Sequence, residues 1–153
     1  QLPQDYDIAF VGGTDLADVH LRRRELLKKL INAGLKVWVG RACGLWLSYI
    51  YSKSKIVFNN AVNGDLNMRV FEAMACKRLL LNDVLTPESG MSELFEAGKH
   101  YIEYEDDKIV EQAKYYLEHE KERQEIALNG YNEVKKHTYN HRVEVILKKW
   151  KTK

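Results

Sequence analysis

Short, nearly all-apolar runs recur along the 153-residue chain, each separated from the next by a stretch of helical character. They fall at residues 8–11, 35–39, 56–59, 79–82 and 100–104. A strand covered on both faces has no reason to alternate polar and apolar side chains, so such runs read as buried strands. Strands alternating with helices predict an α/β domain with a mostly parallel sheet of about five strands and helices on both faces. Between the first two strands, residues 17–33 predict a helix with Leu26, Leu27, Leu30 and Ile31 on one face and Gly34 as a left-handed cap. Residues 67–76 predict a second helix, apolar nearly all round and therefore buried. Residues 91–97 predict a short third helix ended by Gly98. After the last strand the chain reads as helical to its end, over 107–119, 122–136 and 141–149, with Asn129-Gly130 breaking the middle segment. No internal repeat, low-complexity tract or linker interrupts residues 1–153, which read as a single domain.

Composition narrows the function. Hydrophobic residues make up 45% and charged residues 30%, and 24 basic against 22 acidic residues leave a net charge of +2. That near balance excludes the basic excess of a protein whose main partner is nucleic acid. Cys43 and Cys76 form no CxxC pair and sit in apolar stretches, which reads as two buried, reduced thiols of a cytoplasmic protein. No run is long enough for a transmembrane segment, and the first seven residues lack the character of a signal peptide. Asp7 leads straight into the first strand, so the chain is expected to be an excised domain whose partner half is missing.

In an open parallel sheet, ligands bind beyond the carboxyl ends of the strands, where the strand order reverses. The loops there supply Gly12-Gly13-Thr14, Gly40-Arg41, Asn59-Asn60, Asn82-Asp83 and Glu105-Asp106-Asp107. Gly12, Gly13 and Thr14 fit a phosphate cradle of backbone N–H groups, although any tight strand-to-helix turn also favours glycine. Arg22 and Arg23 fall one turn before the core leucines, toward the ligand end of their helix, while Arg24 points elsewhere. They read either as a solvated charge run or as partners of a diphosphate. Glu72 interrupts an apolar helix, where a carboxylate is costly unless hydrogen-bonded. One reading pairs it with Arg69, with Asp65 as the helix cap. The other has Glu72 accept ribose or sugar hydroxyls, with Asp65 and the helix start lining the same pocket.

Residues 53–80, including Lys53-Ser-Lys-Ile-Val-Phe-Asn-Asn60 and Asp65-Leu-Asn-Met-Arg-Val-Phe-Glu-Ala-Met-Ala-Cys-Lys-Arg-Leu-Leu80, resemble group 1 glycosyltransferases. Within these they are most similar to the CgeB-like (spore maturation) branch. Glu93-Leu-Phe-Glu-Ala-Gly98 and His137-Thr-Tyr-Asn-His-Arg142 support the resemblance, and 7–39 agrees more weakly. It implies the Rossmann-like C-terminal half of a GT-B fold, which binds a nucleoside diphosphate sugar as substrate. The missing N-terminal GT-B domain would supply the acceptor surface. Glu72 matches the second glutamate of the family's E-x7-E motif, whose partner is the nucleotide ribose. Gly64 stands where the first glutamate belongs, and Asp65 is the nearest carboxylate. Lys77 stands where many relatives carry glycine.

The resemblance implies transfer of a hexosyl-type group without a metal or other cofactor. Asp65 and Glu72 are its catalytic candidates. Gly12, Gly13, Thr14, Arg22, Arg23, Asn59, Asn67, Arg69 and Glu72 are its nucleotide- and phosphate-binding candidates. The diphosphate leaves as N–H groups, a helix N-terminus and arginine stabilise its charge.

Other acidic and histidine groupings carry less. Asp5-Tyr6-Asp7 lies at the wrong end of its strand, Glu105-Asp106-Asp107 reads as a helix-cap cluster, and His137 and His141 lack a third metal ligand. A receiver domain would need an aspartate where Asn59 stands. A dinucleotide-dependent dehydrogenase would need G-x-G-x-x-G and an acid near Gly40. The alternative that survives is a non-catalytic nucleotide-sugar-binding or interaction domain of the same fold.

Overall fold

The structure, a computed structural model, describes residues 3–15 and 18–151. Strands β1 (Tyr6–Val11), β2 (Val37–Gly40), β3 (Ser54–Asn59), β4 (Leu79–Asp83) and β5 (Ile102–Tyr104) alternate with helices. The helices are α1 (Leu21–Asn32), α2 (Gly44–Ser52), α3 (Met68–Ala75), α4 (Met91–Leu94), α5 (Ile109–Glu118), α6 (Glu120–Val134) and α7 (Tyr139–Lys151). Among the described residues the strands form one parallel sheet in the order β2-β1-β3-β4-β5. The order reverses between β1 and β3, which opens a crevice at their carboxyl ends.

Because successive strand side chains point to opposite faces, one set of strands feeds two cores. Ile8, Phe10, Ile56, Phe58, Leu79 and Leu81 pack against Leu26, Leu27 and Leu30 of α1 and Ile109 and Ala113 of α5. Ala9, Val11, Val57 and Leu80 face the other way, onto Ile50 and Tyr51 of α2 and Val70, Ala73 and Met74 of α3. The result is a three-layer α/β domain with a helical C-terminus.

Several predicted details differ. The start of the first predicted helix, Ala17, lies outside the described residues; Asp18–His20 is a 3-10 turn, and α1 follows it. Gly34 adopts φ +83° beyond α1, as a left-handed cap requires. Helix α2 was not predicted. Edge strand β2 is only half-covered, because it pairs on one side alone. Helix α3 is not apolar on a buried surface all round: Met68 and Ala75 are exposed and Phe71 is half-buried. Helix α4 stops at Leu94, and Phe95 is extended so that its ring enters the core. Asn129-Gly130 does not break α6. There the absent side chain lets the helix approach the sheet, since a Cβ on Gly130 would stand 2.5 Å from the His100 carbonyl oxygen. Cys43 is exposed rather than buried, just before α2, and Cys76 is half-buried.

Candidate active-site cleft at the switch point

The loop after β1 and the start of α3 meet at the crevice between β1 and β3. Asn67 caps α3: its side-chain oxygen accepts the Arg69 N–H at 3.1 Å. This overturns Asp65 as the cap; Asp65 is exposed two residues earlier. A cleft of about 450 Å³ lies here, lined by Arg23, Asn63, Asp65, Asn67, Arg69 and Glu72, with Val62 and Met68.

Two arginines brace the floor of this cleft. Arg69 Nε donates to the Val11 carbonyl at 2.8 Å, and its Nη1 donates to Asn59 Oδ1. Arg23 is 5% exposed and donates to the carbonyls of Gly13 (2.8 Å) and Asn60 (2.6 Å). Their guanidinium carbons stand 5.0 Å (Arg23) and 4.6 Å (Arg69) from the centroid of the Phe10 ring. Burial lowers the pKa of both arginines, and the charge of Arg69 further disfavours that of Arg23. Arg23 Nε is buried with no hydrogen-bond partner. Two crowded cations of this kind favour an anion in the cleft.

Gly12 is required here by close approach. A Cβ on it would stand 2.5 Å from Arg69 Nη2 and 2.8 Å from Phe10 Cζ. At Gly13 the nearest neighbour would be His20 Cε1, at 3.2 Å. Thr14 follows, half-buried.

Glu72 lines the cleft and makes no hydrogen bond or ion pair among the described residues, so, of the two readings, the Arg69–Glu72 pair does not form. Arg69 is committed to Val11 and Asn59 instead. Burial raises the Glu72 carboxyl above its ordinary value, and the nearby charge of Arg69 opposes that shift. Glu72 also borders a second, mainly apolar pocket of about 370 Å³ between α3 and the 134–142 segment.

Gly12, Gly13, Thr14, Arg22 and Asn59 are not among the residues that line the cleft. Arg22 holds Asp106 with two hydrogen bonds (2.8 and 2.7 Å) and reaches Asp83 at 3.1 Å, tying α1 to the ends of β4 and β5. Asp106 is thereby an arginine partner and not a helix cap; α5 has no side-chain cap. Asn59 is fully buried and donates to Asn82 at 2.6 Å while accepting from Asn67 and Arg69. It acts as a brace beneath the cleft. Arg24 points elsewhere, to the Asp15 carbonyl.

Sequence reading missed Asn60, Asp83 and Tyr51 as supports. Asp83 accepts the Ala61 N–H (3.1 Å) and the Asn60 amide (3.1 Å), which fixes the loop after β3. The Tyr51 hydroxyl is buried beside Arg69 without a hydrogen bond of normal geometry, and burial pushes its pKa up while Arg69 opposes that. The strand-end loops Asn59-Asn60 and Asn82-Asp83 were the signal for the first two, and nothing in the sequence pointed to Tyr51.

Residues 22–148 match the glycosyl transferase-like family. The chain belongs to that family. No curated relative matches it. HepE of Anabaena, solved with UDP-glucose, superposes with a TM-score of 0.66 at 15% identity, over 94% of this chain and 49% of HepE. The C-terminal domain of LpcC, a glycosyl transferase group 1 protein of Francisella tularensis, gives 0.64 at 16%, covering 88% of this chain and 86% of that domain. The pneumococcal O-GlcNAc transferase GtfA, solved with UDP and GlcNAc, gives 0.63 at 17%, over 98% of this chain and 35% of GtfA. These likenesses show the fold, the C-terminal half of a GT-B arrangement. The chain spans about half the length of HepE.

Among the described residues no helix is long and apolar enough to cross a membrane, and no three His, Cys, Asp or Glu residues converge as a metal site. His137 faces Glu133 at 3.4 Å and His141 bonds Thr138, so the two histidines serve local structure. Asp5 and Asp7 pair with Lys53 and Lys55.

Proposed function

We propose that the chain is the donor-binding half of a cytoplasmic, metal-independent GT-B glycosyltransferase of the CgeB-like branch. It holds a nucleoside diphosphate sugar in the cleft and transfers a hexosyl-type group to an acceptor bound by a second, N-terminal domain. The observation that carries this reading is the pairing, in one cleft, of a half-buried Glu72 without a partner and a buried Arg23 with an unmatched N–H, beside the half-buried Arg69. Glu72 accepts the ribose hydroxyls. The diphosphate lies over Gly12–Thr14, with Arg23 and Arg69 beneath it. Arg22 acts at one remove, through Asp83 and Asp106.

Gly64 adopts φ +69°, a left-handed conformation that disfavours the motif's first glutamate at that position. Asp65 reaches the cleft instead and is the second catalytic candidate. Departure of the diphosphate concentrates charge on its oxygens. Backbone N–H groups and arginines fixed in advance stabilise that charge without reorganising.

A thermal-shift screen across UDP, GDP, ADP, CDP and dTDP sugars tests the proposal. UDP sugars come first, because HepE and GtfA were solved with UDP-glucose and with UDP. A donor present at about 100 times its Kd stabilises the fold by about 2.7 kcal/mol. No shift with any of the five classes would contradict the proposal.

A further inference from the structure

A second cationic site lies at the opposite end of the sheet. A pocket of about 200 Å³ is lined by Gln4, Lys55, Lys77, Arg78, Arg123 and Gln124, beneath the N-terminal ends of β3 and β4. Four of its side chains are cations, and none of its lining residues is acidic. Two carboxylates approach from outside. Asp7 is held by Lys55 at 2.8 Å and by the Lys36 N–H at 3.0 Å. Glu120, 65% exposed, stands 3.8 Å from Arg123, whose Nη1 donates to the Tyr116 and Leu117 carbonyls.

Arg78 has no such partner. It is 7% exposed, its Nε is buried without an acceptor, and its side chain makes no hydrogen bond or ion pair among the described residues. The neighbouring Cys76 is a thiol whose pKa burial pushes up to about 11, so it carries no compensating charge. A buried guanidinium left unpaired is costly, and this one borders an open pocket.

Lys77 makes the same point through the backbone. It is the one non-glycine residue with positive φ (54°) among the described residues. It closes α3 in a Schellman-type turn, with Lys77 N–H to the Met74 carbonyl (2.9 Å) and Arg78 N–H to the Ala73 carbonyl (3.2 Å). Glycine fits that turn without steric cost. A lysine there is strained, and it adds a cation to the pocket wall, held 4.4 Å from the centroid of the Tyr131 ring.

We propose that this pocket binds a phosphoryl group, with Arg78 as its bidentate ligand and Lys77 and Arg123 completing the charge match. The group belongs either to free phosphate and soluble phosphomonoesters or to a membrane lipid headgroup. The site is separate from the cleft and stands independently of the donor-binding reading.

The test follows the Arg78 Nε–H resonance in ¹H–¹⁵N spectra of the whole chain. One arm titrates inorganic phosphate at ionic strength held constant with chloride, and the other adds phosphatidylcholine vesicles with and without phosphatidate. A saturable shift with phosphate assigns a soluble ligand; phosphatidate-dependent sedimentation without that shift assigns a lipid. Arg78→Gln is expected to weaken binding on the order of tenfold or more, the loss of a charge-assisted hydrogen bond. It is also expected to melt no lower than the wild type in phosphate-free buffer, since a buried unpaired charge is gone. Lys77→Gly is expected to melt higher and bind more weakly. An Arg78 resonance unmoved by phosphate with no phosphatidate-dependent sedimentation would overturn the proposal. So would a response reproduced by chloride, retained affinity in Arg78→Gln, or a lower melting temperature for that variant without phosphate.

Discussion

At the scale of single residues, Glu72 shows how burial and function pull against each other. Its raised pKa means that the fold prefers the protonated carboxyl. The penalty for ionising it is absent below the unfolded-state pKa, grows as pH rises from there to the folded value, and is complete above that. Glu72→Gln removes the penalty, so at pH 7 the variant is expected to melt no lower than the wild type, with the difference shrinking toward pH 4. A lower melting temperature at pH 7 would show that the carboxylate holds the fold together. Gly13 tests the loop opposite. Gly13→Val places a branched side chain where the diphosphate is proposed to approach, beside the side chains of His20 and Asp15. Donor binding is expected to be abolished in calorimetry with the melting temperature nearly kept; unchanged affinity would remove this loop from the site.

At the scale of elements, α6 carries a prediction against helix propensity. Replacing a mid-helix glycine by alanine ordinarily stabilises by about 1 kcal/mol. Gly130→Ala instead drives a methyl group to 2.5 Å from the His100 carbonyl oxygen, and overpacking of that kind costs about 1–3 kcal/mol. Urea denaturation is expected to show a net loss of stability; a gain would mean that α6 and the segment leading into β5 separate easily. The same glycine shows where sequence reading stops. In one dimension Asn129-Gly130 looks like a breaker, and only the packed sheet reveals the contact that requires it. The strands were legible because burial on both faces leaves continuous apolar runs. Helix α2, Gly-Leu-Trp-Leu-Ser-Tyr-Ile-Tyr-Ser, was not, because its apolar residues show no helical period; Leu45 stays 90% exposed. In the cleft, residue types and helix position nominated Glu72, Asp65, Asn67, Arg23 and Arg69. Their partners were out of reach: Arg69 bonds a carbonyl 58 positions away and Arg23 a carbonyl 37 away.

At the scale of the whole molecule, a sheet ordered β2-β1-β3-β4-β5 places the cleft at one end and the basic pocket at the other. If the cleft is half of a two-domain site, the isolated chain is expected to bind donor but transfer sugar poorly; rapid turnover by this chain alone would contradict the two-domain proposal. EDTA is expected to leave donor affinity unchanged, and a loss restored by manganese or magnesium would remove metal independence from it. The most direct test of the donor site is calorimetric titration of the best-stabilising nucleotide sugar into the wild type and Glu72→Gln. Charge-assisted hydrogen bonds contribute about 1.5–3 kcal/mol, so the variant is expected to bind about 10- to 150-fold more weakly. Equal affinity for the two proteins would contradict the placement of the ribose on Glu72, and with it the assignment of this cleft as the donor site.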